Sequence, residues 1–262
     1  MSKRGIAIPS STLINETDEK IKTFKVGIIA RAAAIFRVNE IFIYRDPKLD
    51  ESELICDLLK YMETPQYLRR DLIPLKRSLK FAGILPPLQI PSHKPKRLKV
   101  GEIREGVVKK INPNGTSLVD IGLDTLAILG SKAKCGRITV KVRSKNPLVV
   151  EEATPDAYWG YKVKVTKLKS ILKKDNVIIT SRKCKFPTLD EVKKFHNNFL
   201  LVFGSPEEGV FEIAERLNIK IKDKPCWNLV PNQGVETVRL EEAVFISLAI
   251  LNFVGYWSLH TY

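Results

Sequence analysis

The sequence is poor in the residues that build metal centres, disulfide frameworks and membrane spans. Its four cysteines, Cys56, Cys135, Cys184 and Cys226, are scattered, with no CxxC pair and no neighbouring histidine. A zinc site needs clustered ligands, so no metal is expected. The three histidines, His93, His196 and His260, show no ligand spacing either. Isolated thiols suit a reducing compartment and are expected to be buried or inert, without disulfides. The longest apolar stretch, around residues 243 to 254, is too short to cross a bilayer. The opening MSKRGIAIPSS lacks a signal-peptide apolar region, because Pro9 and two serines interrupt it. No GxxxxGK[ST] loop and no dinucleotide fingerprint occurs. The expectation is a soluble, cytoplasmic protein with no membrane partner.

Positive charge is what the sequence does have. The formal net charge over 262 residues is +15. Between Lys94 and Lys185 there are 22 Lys and Arg against 8 Asp and Glu, a net +14; the remainder has 22 against 21. A near-neutral body with one strongly basic stretch reads as an electrostatic footprint for a polyanion, nucleic acid above all.

The chain opens with a short apolar strand, Gly5 to Leu13, and a helical stretch from about Thr17 to Phe36. In that stretch Ile21, Phe24, Ile28, Ala32 and Ile35 recur at helical spacing. Glu40 to Tyr44 reads as a buried strand and Glu51 to Met62 as a second amphipathic helix. This alternation predicts a parallel sheet with helical crossovers. Four prolines in residues 84 to 97 mark a boundary. Short alternating runs follow: Val100 to Ile111, Thr116 to Gly122, Leu126 to Leu129, Arg137 to Val142, Lys162 to Leu168 and Val177 to Ser181. They predict a small OB-like barrel, a fold suited to single strands or RNA loops. The predicted domains are residues 1–93, an inserted barrel over 94–183, and 184–262 returning to the first fold.

RNA contacts are expected from Lys141, Arg143, Lys162 and Lys164, with Arg69 and Arg70 adding phosphate contacts. Trp159 either stacks on bases or closes the barrel core; for Tyr161 the core is favoured.

Two loops carry the chemistry. In residues 200–217 (LLVFGSPEEGVFEIAERL) a strand ends at Phe203, Gly204 turns, and Ser205 to Glu208 has the form of a capping box with Pro206 at the first helical position. Glycine turns at the carboxyl ends of parallel strands are where open α/β sheets bind ligands. In residues 228–251 a tight Pro231–Gly234 loop precedes a last helix, about Glu241 to Val254, that is apolar nearly all round. Such a helix must be sandwiched or covered by a second subunit.

Together these loops resemble the two carboxyl-terminal motifs of SPOUT methyltransferases. IAIPSS, KVGIIARAAAIFRVNEIFIY (25–44), TPQYLRRDLIPL (64–75), FAGILPPL (81–88) and YWGYKV (158–163) resemble one archaeal and eukaryotic branch with an OB-like insertion. The resemblance covers nearly the whole chain. It implies a trefoil-knotted α/β domain, S-adenosyl-L-methionine as cofactor, an RNA substrate and a homodimer. It implies cofactor contacts from Gly204, with its neighbours Phe203 and Ser205, and from Asn228, Leu229, Pro231 and Gly234. Thr180, Ser181 and Lys183 fall on a strand whose end faces the cofactor. Arg31 matches an arginine held near the target nucleotide in TrmH-like members and is the expected catalytic residue. The alternative is a SPOUT-like body that scaffolds RNA without catalysis, or one that methylates protein.

Overall fold

A computed structural model describes residues 3–260, with side chains described through Tyr256; the side chain of His260 lies outside the described residues. The chain forms two compact units. One comprises the described residues up to Lys60, Arg77–Pro87 and those from Tyr161 onward; the other comprises Tyr61–Lys76 and Leu88–Gly160.

The first unit is built on a six-stranded sheet. Its strands are β1 (Lys3–Pro9), β2 (Glu40–Tyr44), β8 (Lys162–Thr166), β9 (Val177–Lys185), β10 (Asn198–Val202) and β11 (Cys226–Trp227). Their order is β11-β9-β10-β1-β2-β8, and every pairing is parallel. The central strands are apolar without alternation because both faces are covered. Ile6, Ile8, Ile41, Ile43, Leu201 and Val202 are all fully buried. Each such side chain contributes about 1.5–3 kcal/mol of burial. In chain order the helices are α1 (Glu19–Ile35), α2 (Ser52–Glu63), α3 (Arg69–Leu72, in the second unit), α4 (Leu168–Leu172), α5 (Leu189–Phe195), α6 (Val210–Arg216) and α7 (Leu240–His260). Asp18 caps α1, accepting from the amides of Lys20 and Ile21. Gly27 of α1 lies against the proline-rich segment: a Cβ there would sit 3.0 Å from Leu85 and 3.1 Å from Pro86. The Thr188–Glu191 capping box forms, with both reciprocal bonds.

The second unit contains a closed barrel, ordered β3-β4-β5-β7-β6. Its strands are β3 (Ile103–Ile111), β4 (Ser117–Asp120), β5 (Ala127–Leu129), β6 (Gly136–Lys145) and β7 (Leu148–Glu152). Val119, Ile121, Val140, Val142 and Val150 fill it. Residues flanking the barrel in sequence close onto it through charge. The Glu105 carboxylate, 3% exposed, is bonded by Arg137, Trp159 Nε1 and Thr139 Oγ1 (2.6 Å). Arg137 also grips Glu63 with both terminal nitrogens, at 2.6 and 2.9 Å. Burial pushes the Glu63 carboxyl up, against the pull of Arg137.

Three expectations are corrected. Lys162–Thr166 and Val177–Lys185 are strands of the parallel sheet, not of the barrel: β8 pairs with β2 from Glu40↔Lys162 to Tyr44↔Thr166. An alternating run marks a strand but not its partner, and the barrel is closed instead by β7, which the sequence reading passed over. The basic stretch therefore divides. The barrel unit holds 16 Lys and Arg against 9 Asp and Glu, a net +7; the sheet unit holds 28 against 20, a net +8. That +8 equals the balance of residues 161–185, with 9 basic and 1 acidic. Finally, Cys184 and Cys226 are joined in a disulfide across 42 residues, with Cα atoms 5.7 Å apart. The β9–β11 pairing brings them together. Cys56 is buried and Cys135 exposed as free thiols.

Candidate cofactor pocket

The carboxyl ends of β9, β10 and β11 open into a cavity of about 280 Å³ with α7 on its wall. This is close to the lower bound of about 300 Å³ usual for small-molecule sites. β10 delivers Phe203, whose amide donates to Ala7 O (2.9 Å) and whose carbonyl accepts from the Tyr44 hydroxyl (2.6 Å). Gly204 then turns the chain. A Cβ there would lie 2.5 Å from Glu208 O and 2.7 Å from Gly209 Cα, so the turn admits no side chain. The loop closes on itself: Ser205 N donates to Glu208 O (2.8 Å) and Glu208 N donates to Ser205 Oγ (2.9 Å). The expected box thus forms only as a turn. The helix starts later, at Val210, with Gly209 as its cap, and the Glu208 carboxylate goes to Lys48 and Arg216 instead of back to Ser205 N.

β9 contributes Thr180, whose hydroxyl donates to Val202 O (3.0 Å), then Ser181 and Lys183, the last ion-paired with Glu212. The bond from Lys183 holds the Glu212 carboxyl below its ordinary range. Past β11, Asn228 N donates to Lys185 O (2.9 Å), and its side-chain oxygen accepts from Val230 N (3.1 Å).

Eight of the sequence-predicted residues therefore line one cavity: Thr180, Ser181, Lys183, Phe203, Gly204, Ser205, Asn228 and Leu229. Pro231 and Gly234 are exposed in the following loop and do not line it; there the left-handed residue is Asn232, φ 53°. The sequence reading missed Glu212, Trp227, Leu240, Ala243 and Ser247. A signal existed for the last three: spaced i, i+3 and i+7, they share a helix face on which two small residues interrupt large apolar ones. The lining combines apolar side chains such as Phe203, Trp227 and Leu229 with polar and charged ones such as Thr180, Lys183, Glu212 and Asn228. The shape of the Gly204 turn is set by main-chain packing: the place a side chain would take is occupied by the backbone of Glu208 and Gly209.

Arg31 does not line this cavity; it is half-buried on α1 and donates to Pro87 O (3.0 Å). Lys162 and Lys164 are exposed on edge strand β8, with Lys164 ion-paired to Glu40. On β6, Lys141 is half-buried, and exposed Arg143 pairs with Glu151 (2.5 Å). Arg69 lies over the Tyr61 ring at 4.1 Å, while Arg70 is exposed. Trp159 is half-buried with its ring nitrogen committed to Glu105. Tyr161 is core, 3% exposed, and donates to Leu59 O (3.0 Å). Among the described residues no group of His, Cys, Asp or Glu could hold a metal, and no helix is long and apolar enough to cross a membrane.

A family described as "Putative RNA methyltransferase" matches residues 3–251. The chain belongs to this family. It is 29% identical to a 28S rRNA (uridine-N(3))-methyltransferase of Drosophila melanogaster, over 95% of this chain and 62% of the fly protein. It therefore spans a little under two thirds of that relative. The human 28S rRNA (uridine-N(3))-methyltransferase is also 29% identical, over 94% of this chain and 77% of its own. An uncharacterized protein of Haloarcula marismortui is 29% identical over 94% of this chain and 98% of its own. Membership in an RNA methyltransferase family implies a methyl donor and a site for it.

Proposed function

We propose that this chain is an S-adenosyl-L-methionine-dependent RNA methyltransferase that acts on a uridine of ribosomal RNA. The observation that carries this reading is the family match over residues 3–251, which includes every element of the pocket. Bound S-adenosyl-L-methionine would supply an already activated methyl group. The chain's task is then to hold donor and acceptor in line and to exclude competing water. Thr180, Ser181, Gly204, Asn228 and Leu229 are the residues proposed to hold the donor. The trefoil knot belongs to the same proposal, since it would bring these loops together. Uridine N3 is the proposed acceptor atom, by likeness to the fly and human relatives, and its proton leaves as the methyl arrives.

RNA binding is assigned to the basic residues of both units: Lys141 and Arg143 on the barrel, taken as OB-like, and Lys162 and Lys164 on β8. Arg69, Arg70 and Trp159 remain proposed contacts of the barrel unit. A homodimer is proposed because α1 and α7 leave apolar surface uncovered. Ile21, Phe24, Phe245, Phe253 and Tyr256 are between 39% and 69% exposed. Arg31 is proposed to reach the acceptor's phosphate from the second subunit. A cytoplasmic location is proposed with it.

The test is mass spectrometry of ribosomal RNA nucleosides from cells with and without this protein. Loss of a 3-methyluridine in the deleted strain is the expected result. An unchanged nucleoside profile removes the proposal and favours a scaffold.

A further inference from the structure

The cofactor loop, Gly204 to Gly209, is tied to the end of a strand that is not its sheet neighbour. In the sheet order β10-β1-β2, the end of β1 lies between the loop and the end of β2. Three tethers cross it. The Tyr44 hydroxyl, fully buried, donates to Phe203 O at 2.6 Å. Lys48 pairs with Glu207 (2.8 Å) and Glu208 (3.2 Å). Arg216, the last residue of α6, reaches Asp46 with both terminal nitrogens (2.9 and 3.2 Å) and Glu208 Oε2 with two nitrogens (2.5 and 3.1 Å).

Asp46 is the anchor. Its carboxylate is 0% exposed and also accepts from Ser11 Oγ (2.6 Å) and from the Lys48 amide (3.0 Å), while its own amide donates to Ser10 Oγ (2.9 Å). The ends of β1, β2 and β10 thus converge on one buried charge. Burial pushes the Asp46 carboxyl up, but the bonds from Arg216, Ser11 and the Lys48 amide outweigh it and hold it low. The bond from Arg216 likewise holds Glu208 low.

We infer that Asp46 and Arg216 are positioning residues for the cofactor, fixing the loop through Glu208. Glu208 is the point of leverage, because its carbonyl both receives Ser205 N and abuts Gly204 where a Cβ would sit. If Glu208 swings away, the main-chain contour after Gly204 changes. Neither Asp46 nor Arg216 lines the cavity, so they act through the loop. A planar, bidentate guanidinium is required here, since an ammonium cannot fork to two carboxylates in fixed geometry.

This inference rests on the proposed function, and the experiment separates the two. Full-length wild type, Arg216→Lys, Asp46→Asn and Glu208→Gln are titrated calorimetrically with S-adenosyl-L-methionine. Kinetics are measured with each substrate varied, and thermal midpoints are recorded. In folded Arg216→Lys and Glu208→Gln, the cofactor Kd and KM rise about tenfold or more. The RNA KM and kcat at saturating cofactor stay within about twofold of wild type. Glu208→Gln leaves no buried charge unpaired, so it reports even if Asp46→Asn does not fold. A cofactor Kd within twofold of wild type in the folded variants overturns the inference. So does an equal fall in cofactor and RNA affinity accompanied by a lowered thermal midpoint, which marks a role in folding alone. Wild type that binds no cofactor overturns the proposed function instead.

Discussion

The sheet unit and the barrel unit use ionic groups for different ends. In the barrel unit Glu63, Glu105 and Arg137 bind flanking sequence to the barrel, and no residue lining the sheet unit's cavity is involved. In the sheet unit Asp46, Arg216 and Glu208 hold one loop of a cavity whose other walls mix apolar side chains such as Trp227 and Leu240 with polar ones such as Thr180, Lys183 and Asn228. Net charge does not distinguish the two, at +7 and +8. What separates them is the cavity at the ends of β9, β10 and β11, which belongs to the sheet unit.

The sharpest way to break this comparison is at Gly204. Gly204→Leu forces a side chain into backbone 2.5 Å away, and cofactor affinity falls at least 100-fold by calorimetry while RNA affinity is kept. Parallel loss of both would show that donor and RNA sites are not separable. The next effect concerns stability. Replacing Cys184 and Cys226 together by serine removes a 42-residue cross-link and destabilises the sheet unit by about 2–4 kcal/mol. Hydrogen exchange would show faster opening around β9 and β11, with the barrel unchanged.

Charge gives a smaller, graded effect. Neutralising Lys141, Arg143 and Lys145 on β6, or separately Lys162, Lys167 and Lys169 at β8 and beyond, weakens RNA binding. Each lost phosphate contact lowers the slope of log affinity against log salt by about one. Equal losses from the two sets would show that both units contact RNA; a loss from the barrel set alone would return that task to the barrel.

The smallest effect is in acid. Asp46, Glu208 and Glu212 have folded pKa values below their unfolded ones, so the stability they supply is complete above the unfolded values. It is lost as pH falls through the folded ones. Glu63 is shifted the other way, so its ionisation costs stability as pH rises from its unfolded value through its folded one. On acidification the amide NMR signals around Glu63, whose carboxyl is pushed up, are expected to change first; those of residues 204–212, whose carboxylates are held low, change only below about pH 4.

Much of this was legible in the sequence where the determinants are local. The apolar runs of β1, β2 and β10 and the Thr188 capping box rest on short stretches of chain, whereas the grouping of Gly204, Asn228 and Thr180 came only from the family resemblance, because the pairing of β9, β10 and β11 brings them together. Pairing was not legible. Lys162–Thr166 alternates like a barrel strand, yet its partner is β2, more than 100 residues away. The Cys184–Cys226 bridge and the Asp46–Arg216 pair likewise join residues 42 and 170 positions apart. No spacing rule announces such contacts, because the sheet order creates them.

The cavity around Gly204 is proposed to serve methyl transfer to RNA. That role is tested most directly by incubating the purified chain with unmodified ribosomal RNA and S-adenosyl-L-methionine labelled in its methyl group. The account predicts label in a nucleoside that co-elutes with 3-methyluridine, and none with Gly204→Leu. No label from folded wild type, or equal label from Gly204→Leu, would contradict it.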